Sequence, residues 1–338
     1  MKKSELLVLI KYFSFKKFKN LLQLYFSFSF SKLFKSSHIS GLPMALSIEP
    51  TTACNLRCPE CPSGLKQFSR KTGNLSLKLN KKIIDELNGH ISYINYYFQG
   101  EPYINPNFFK LISYANSKNI FCATSTNGHF LNDENYQKTV NSGLKRLIIS
   151  IDGNDQETYQ VYRKNGKYEK VLEGAKNILK WKKKLNSNYP HVIFQFLVVK
   201  TNEHLVDKMK ELTKKLGVDE LRIKTAQVYN FKNGNSLIPE NEKYSRYIKN
   251  KNGEYQLKNN FYNRCWRMWS SAVITVNGEL VPCCFDKDAV HKMGDLKISS
   301  FSKIWNSKIY NSFRNQIFLD RSQIEICKNC SEGSKVWA

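Results

Sequence analysis

The sequence predicts an α/β protein in which helices cover a parallel sheet, followed by a small cysteine-rich C-terminal domain. Six short apolar and β-branched runs are typical of buried strands: residues 45–49, 93–99, 121–125, 146–151, 193–199 and 220–225. Segments of helical period lie between these runs. Strand–helix alternation makes neighbouring strands parallel, in either an open doubly wound sheet or a barrel, and the pattern alone does not choose between them.

Shifts in composition divide the 338 residues into four segments. In order, we expect a basic, aromatic helical extension (1–43), the strand–helix units (44–235), an irregular linker (236–261) and the cysteine-rich domain (262–338). The linker is expected because the chain turns polar and rich in Asn, Lys and Gly. In the last segment, Asn277-Gly278 predicts a hairpin, and residues 301–313 have the pattern of a helix.

The composition limits the classes of function. Lys and Arg number 53 against 28 Asp and Glu, and the net charge of +25 would attract nucleic acid, anionic lipid or an acidic substrate. The lysines are spread along the chain without a nucleic-acid-binding motif, so nucleic acid is not an expected partner. Nine cysteines in a chain of this length favour metal ligation over a disulfide scaffold.

The first 40 residues hold eight lysines and one glutamate among Phe, Leu and Tyr residues. This pattern is typical of a helix lying on a membrane surface, and a helix capping the main domain is the alternative. No apolar run reaches the ~20 residues needed to span a bilayer, and no small-residue cleavage site follows a signal-like core. We therefore expect a cytoplasmic protein, and peripheral membrane contact through the N-terminus stays open.

Three cysteines, Cys54, Cys58 and Cys61, follow the first predicted strand on a loop between Pro50 and Pro62. Loops at the carboxyl ends of strands build active sites in βα architectures. A structural zinc site would normally show two separated pairs, whereas three thiolates on a four-iron cluster leave one iron open for chemistry. The pattern favours a catalytic 4Fe-4S cluster over three unrelated buried cysteines.

This loop resembles the cysteine signature of the radical S-adenosylmethionine (radical SAM) superfamily, whose open iron chelates that cofactor. One departure is Glu60, which stands before the third cysteine where the family often has an aromatic residue. After the second strand, a Gln-Gly-Glu-Pro stretch resembles the family's glycine-glycine-glutamate motif. The fourth-strand region resembles the one in which a serine and an arginine contact the cofactor. The resemblance implies a set of cofactor-binding residues: Gln99, Gly100, Glu101, Ser150 and Arg163.

The matches run in family order from about Pro43 to Thr225. They imply a partial (β/α)6 TIM-like barrel and favour the barrel over the open sheet. The turn at residues 125–128 fits a recurrent family turn near the site and fits a simple strand-ending turn equally well.

The C-terminal cysteines resemble a SPASM auxiliary-cluster domain, with Cys-Trp, a hairpin, Pro-Cys-Cys, Gly-Asp-Leu and a closing Cys-Lys-Asn-Cys pair. The resemblance implies one auxiliary 4Fe-4S cluster and its four ligands: Cys265, Cys283, Cys327 and Cys330. Cys284 is then spare. Spacing does not separate this cluster from a structural zinc, which stays the alternative. Cys122, within the third strand pattern, is interpreted as a small buried residue.

The resemblance implies that the reduced N-terminal cluster cleaves S-adenosylmethionine to a 5'-deoxyadenosyl radical that abstracts a substrate hydrogen. It also implies an electron donor such as flavodoxin or ferredoxin. Domain pairing favours modification or oxidation of a peptide or protein, and dehydrogenation or rearrangement of a sugar-like small molecule is the alternative. A non-enzymatic metal-binding protein is a further, weaker alternative. No residue is assigned as a general acid or base, because the substrate is unknown.

Overall fold

The computed structural model describes residues 11–258 and 262–331. Their strands are β1 (Ala45–Ile48), β2 (Tyr93–Asn95), β3 (Phe121–Thr126), β4 (Arg146–Ser150), β5 (His191–Val198), β6 (Glu220–Thr225), β7 (Tyr247–Lys249), β8 (Tyr255–Leu257), β9 (Ser271–Ile274), β10 (Glu279–Val281) and β11 (Gly294–Asp295). Their helices are α1 (Phe15–Phe34), α2 (Pro62–Leu65), α3 (Leu77–Leu87), α4 (Phe108–Ser117), α5 (Asp133–Asn141), α6 (Gln156–Tyr162), α7 (Tyr168–Lys184), α8 (Val206–Leu216), α9 (Arg267–Ser270), α10 (Phe301–Trp305) and α11 (Lys308–Asp320). The strand–helix alternation is confirmed, with a strand at each of the six predicted runs.

The chain forms two compact units, each built from separate chain segments: residues 11–53, 68–124 and 262–328 in the first, and 54–67, 125–258 and 329–331 in the second. In the first unit β1 pairs in parallel with both β2 and β9, and β2 pairs in parallel with β3. β10 runs antiparallel to β9 and β11. The C-terminal hairpin therefore continues the parallel sheet through β1.

The helix α3 illustrates why these segments fold as they do. Ser76 caps its N-terminus by accepting a hydrogen bond from the Leu79 amide at 3.2 Å. Ile83 and Ile84, and Leu87 one helical turn after them, are buried in the first unit. The helical period of the sequence thus becomes one apolar face.

In the second unit β4, β5 and β6 are parallel, with Ile149 opposite Phe194 and Phe196 opposite Ile223. Ile193 and Phe194, which lie on opposite faces of β5, are both fully buried, as expected for a strand covered on both faces. No helix within residues 11–258 and 262–331 is long and apolar enough to cross a bilayer.

The expectation of an irregular linker over 236–261 is wrong for its described part. A hairpin, β7 and β8, forms there, and Tyr247 is buried with its ring stacked 4.5 Å from that of Phe231. The Tyr247 hydroxyl donates to the Val228 carbonyl at 3.1 Å. The few apolar residues of this polar stretch are far apart in sequence, so periodicity did not reveal the small core that they form with Val228 and Ile238.

Two other predicted boundaries are corrected. The helix predicted over 301–313 is two helices, because Ser307 begins α11 by accepting a hydrogen bond from the Tyr310 amide at 3.2 Å. The strand predicted over 93–99 is confined to 93–95, and the chain then reaches a turn at Gly100, where φ is +72°.

A buried ion pair joins the end of β1 to the segment that follows α2. The Arg70 guanidinium donates to both Glu49 carboxylate oxygens, at 2.6 and 2.8 Å, and both side chains are almost fully buried. Glu49 also accepts from the Val276 amide at 3.0 Å, beyond β9. Burial raises the pKa of Glu49, and Arg70 opposes that shift. The pair thus links three segments of the first unit.

We expect Arg70→Met to lower the free energy of unfolding by about 3–5 kcal/mol, because the Glu49 carboxylate would stay buried without its partner. Urea denaturation followed by circular dichroism measures the change. Adding Glu49→Gln to Arg70→Met should restore part of the loss by removing the unpaired charge. Lys210→Met, which breaks the exposed pair with Asp207, is the matched control and should change little. An unchanged stability in Arg70→Met would contradict the role given to the pair.

Candidate metal centre

The three-cysteine loop precedes and enters the short helix α2. Cys61 is the N-cap residue of α2, and Pro62 occupies its first turn. A Cβ atom on Gly64 would lie 2.7 Å from the Cys58 amide nitrogen, so only glycine lets α2 pack this closely beneath the loop. The Arg57 amide donates to the Lys164 carbonyl at 3.0 Å. These contacts fix the loop backbone on the second unit.

Nitrogen donors surround two of the three thiols. The Leu56 amide lies 3.4 Å and the Asn127 side-chain amide 3.8 Å from Cys54 Sγ. Arg163 Nη1 lies 3.8 Å from Cys58 Sγ. Burial raises the pKa of the Cys58 thiol, and Arg163 opposes the shift. N–H donors of this kind stabilise thiolate ligands and tune a bound cluster.

Arg163 is held in place by a buried carboxylate. Its Nε donates to Asp152 Oδ2 at 2.5 Å, while Asp152 Oδ1 accepts from the Leu197 amide at 2.7 Å. Burial disfavours the charged guanidinium, but attraction by Asp152 and Cys58 raises the pKa of Arg163 overall. Arg163 is therefore a fixed positive charge beside Cys58. Ser150, the other residue assigned in this region, is buried as the last residue of β4.

The Gln99-Gly100-Glu101 turn packs against the backbone that leads into the cysteine loop. A Cβ atom on Gly100 would lie 2.2 Å from the Thr51 carbonyl oxygen, so a larger residue does not fit. The Glu101 amide donates to the carbonyl of Ala53, the residue before Cys54, at 2.7 Å. Gln99 and Glu101 are both buried. The close approach distinguishes this stretch from an ordinary exposed turn.

The second cysteine group divides between the two units. The first unit contains Cys265, Cys283, Cys284 and Cys327, and the Phe285 amide lies 3.4 Å from Cys283 Sγ. Arg267 Nη1 lies 3.7 Å from the sulfur of Cys284, the residue predicted to be spare. Cys330 belongs to the second unit.

A buried tyrosine in the first unit supports a sulfur-rich centre near Cys265 and Cys283. The Tyr310 hydroxyl is buried and has no hydrogen-bond partner among the described residues. Burial raises the pKa of Tyr310, Arg314 opposes the shift, and the Cys283 and Cys265 thiols add to it. A buried O–H without a described partner fits a further acceptor, which a sulfur of a bound cluster would supply.

No disulfide links the nine cysteines, all of which are described. Cys122 is fully buried in β3, as predicted. Within 11–258 and 262–331, no three His, Cys, Asp or Glu side chains converge on a position for a single metal ion. A four-iron cluster takes each thiolate on a different iron, so its ligands need not converge on one point.

Sequence reasoning missed two supporting residues at the loop. Asn127 donates to Asn55 Oδ1 at 2.8 Å and also faces Cys54. It was missed because a simple strand-ending turn explained its stretch of sequence equally well. Asp152 orients Arg163. It was overlooked although it lies two residues after Ser150, which was assigned to the site. The signal for both was their position just after a strand, and the partner of each could not be read from the sequence.

Two family models match the chain. The radical SAM superfamily model matches residues 48–212, and the SPASM model, described as an iron-sulfur cluster-binding domain, matches residues 265–331. The radical SAM domain implies a 4Fe-4S cluster with S-adenosylmethionine, and the SPASM domain implies auxiliary iron-sulfur binding.

Two curated proteins are similar over part of the chain. The AdoMet-dependent heme synthase of Methanosarcina barkeri is 31% identical over 53% of this chain and 49% of its own length. Mycofactocin maturase MftC of Mycobacterium ulcerans is 33% identical over 42% of this chain and 38% of its own length. The matched region therefore spans half or less of each relative.

Solved structures agree on the fold. SuiB of Streptococcus suis, bound to precursor peptide SuiA, has a TM-score of 0.63 at 12% identity, covering 90% of this chain and 74% of that one. BtrN, in complex with AdoMet and 2-DOIA, has a TM-score of 0.55 at 19% identity, covering 87% and 95%. These likenesses confirm the predicted fold class, a partial (β/α)6 barrel with a small cysteine-rich C-terminal domain. The two family models, together with the three-cysteine loop, establish that the chain belongs to the radical SAM superfamily and carries a SPASM-type C-terminal domain.

Proposed function

We propose that this chain is a radical SAM enzyme that modifies or oxidises a peptide or protein. The observation that carries the proposal is the Cys54-Cys58-Cys61 loop, with a fixed arginine against its buried thiol. When bound, the cluster and S-adenosylmethionine supply reductive cleavage to a 5'-deoxyadenosyl radical, which abstracts a hydrogen atom from the substrate. Cys54, Cys58 and Cys61 would bind three irons of that cluster.

The chain's own residues would bind and orient the cofactor. Gly100 lets the backbone approach closely, and the Glu101 carboxylate is an acceptor for the cofactor ammonium. Arg163 is a forked donor suited to a carboxylate, and Asp152 fixes its orientation through Nε. Together with Gln99 and Ser150, these residues form the proposed cofactor-binding set.

The proposed auxiliary cluster is bound by Cys265, Cys283, Cys327 and Cys330. Four thiolates saturate a four-iron cluster, so this cluster would transfer electrons or hold structure instead of binding S-adenosylmethionine. A small electron-transfer protein, flavodoxin or ferredoxin, would reduce the enzyme.

The peptide or protein substrate is supported by analogy with relatives. SuiB, whose fold is similar, is described bound to a precursor peptide, and MftC is described as a maturase. BtrN is described with 2-DOIA and supports the second candidate, a sugar-like small molecule. Cleavage of S-adenosylmethionine alone does not distinguish these two substrate classes, so the substrate needs a test of its own.

Cys58→Ala should abolish formation of 5'-deoxyadenosine from S-adenosylmethionine by the anaerobically reconstituted, reduced protein. Its iron content should fall from about eight to about four per chain, because only the auxiliary cluster would remain. Chromatographic quantification of the nucleoside and iron analysis measure the two effects. Cys122→Ala, at a buried cysteine outside both groups, is the control and should keep both clusters. Cleavage that survives in Cys58→Ala would refute the assignment of the first cluster.

Tyr310→Phe should lower the reduction potential of the auxiliary cluster on the order of tens of millivolts, because the cluster would lose the hydrogen-bond donor that the Tyr310 hydroxyl would supply to it. The measurement is a redox titration followed by electron paramagnetic resonance. It is made in a Cys54→Ala, Cys58→Ala, Cys61→Ala background, which isolates the auxiliary cluster. Tyr136→Phe, which removes a hydroxyl bonded to Asn177 in the second unit, is the control. An unchanged potential in Tyr310→Phe would contradict this role.

The substrate class is tested by fractionating an extract of the source cells into proteins and metabolites. The protein and peptide fraction should increase the rate of 5'-deoxyadenosine formation by the reconstituted enzyme, because substrate binding couples cleavage to hydrogen abstraction. Cys58→Ala corrects for other sources of the nucleoside. Stimulation confined to the metabolite fraction, and resistant to protease treatment, would favour the small-molecule candidate instead.

A further inference from the structure

The helix α1 exposes an unusually apolar face. Eight large apolar side chains on α1 are exposed, and we call them the outer face: Phe15, Phe18, Leu22, Tyr25, Phe26, Phe30, Leu33 and Phe34. Phe15 and Leu33 are 85% and 73% exposed. Contiguous apolar surface of this kind on a folded chain marks an interaction site.

The orientation of α1 is fixed by polar contacts on the opposite side. Lys17 Nζ donates to the carbonyls of Tyr12 and Asn119, at 3.0 and 2.9 Å. The Asn20 side chain bonds both the carbonyl and the amide of Leu42, at 2.7 and 2.8 Å. Ser31 Oγ donates to the His38 carbonyl at 2.8 Å. Rotating the apolar face inward would break these buried hydrogen bonds, so the fold itself holds that face outward.

An open groove of about 700 Å³ runs along α1 between Lys19 and Leu33. Leu22, Phe26, Phe30 and Leu33 of the outer face line it together with Lys19. The apolar surface extends along the 20-residue helix, about 30 Å in length.

The charges around the outer face have one sign. α1 contains no Asp or Glu, and Lys16, Lys19, Lys32 and Lys35 are all exposed. None of these four forms an ion pair with another described residue. Helical spacing puts Lys16 and Lys32 on opposite flanks of the apolar stripe. A partner must therefore offer an apolar interior beneath a negatively charged surface.

We propose that the outer face of α1 docks onto an anionic lipid bilayer, with the helix parallel to the membrane plane. Aromatic and leucine side chains would enter the boundary between headgroups and acyl chains, and the flanking lysines would contact anionic headgroups. A second copy of this chain is disfavoured, since it would bring two lysine-rich faces together in a protein of net charge +25. Residues 1–10 carry two lysines against one glutamate, so their charge does not offset that of the lysines on α1.

The test is co-sedimentation of the full chain with vesicles. The protein should bind vesicles containing phosphatidylglycerol and should bind pure phosphatidylcholine vesicles at least about tenfold more weakly. Lys19→Gln with Lys32→Gln should weaken binding to the anionic vesicles about 30-fold, given the attraction that each lysine contributes near a charged surface. Phe26→Ser with Leu33→Ser should weaken it about tenfold or more. Circular dichroism establishes that each variant is folded.

The control variant is Lys176→Gln with Lys180→Gln, which removes the same charge from exposed positions on α7. It should bind anionic vesicles like the parent chain. Equal loss in this control would assign binding to overall charge and overturn the proposal. A dimer that Phe26→Ser with Leu33→Ser dissociates, without vesicle binding, would overturn it in favour of a second copy. Vesicle binding that appears only after deletion of residues 1–10 would overturn it in favour of that segment as the occupant.

Discussion

In the proposed function the three-cysteine loop presents all three thiols to one cluster, although α2 is its only regular structure. Its shape depends on contacts that arrive from the ends of other elements. Gly64 allows α2 to pack beneath Cys58, the Lys164 carbonyl accepts the Arg57 amide, and the Glu101 amide bonds the carbonyl of the residue that precedes Cys54. Lys164 and Glu101 are distant in sequence from the loop and reach it only when the strands have paired in the correct register. The loop therefore takes its shape only after the parallel sheet has formed. Within that sheet, the spacing of the three cysteines decides whether their thiols can serve one cluster.

The positively charged Arg163 is already fixed beside the cysteine loop in the protein without a cluster. Burial raises the pKa of the Cys58 thiol, so ligation of a metal by its thiolate would release a proton. Arg163 lies against that sulfur as a fixed positive charge, and it is fixed because Asp152 holds Nε while Asp152 is itself bonded to the Leu197 amide. A guanidinium that is already oriented loses little on binding a negative ligand. In the proposed function, one arginine thus supports both the Cys58 thiolate and an anionic group of the cofactor.

The helix α1 turns mostly polar side chains, besides the buried Leu24, toward the first unit and exposes a row of apolar side chains. Its inner face carries Lys17, Asn20 and Ser31, all hydrogen-bonded, and its outer face carries exposed aromatic residues. The sequence allowed a membrane-surface helix or a helix capping the main domain as alternatives. In the structure the helix caps the first unit. The surface that it leaves exposed is aromatic and flanked by lysines, as expected of a membrane-surface helix. Burial of polar groups is tolerated here because every inner-face donor named has a carbonyl partner.

The sequence by itself determined the six core strands, the α/β class and the clustering of Cys54, Cys58 and Cys61 on one loop, because these depend on local periodicity and spacing. The tertiary structure decided the parallel pairing of β9 with β1, the hairpin β7–β8 and the break before α11. It also decided which polar residues support the loop, among them Asn127 and Asp152. Local patterns fix which segments are buried, whereas pairing and ligand support depend on groups far apart in the chain, whose proximity is set only when the whole core packs.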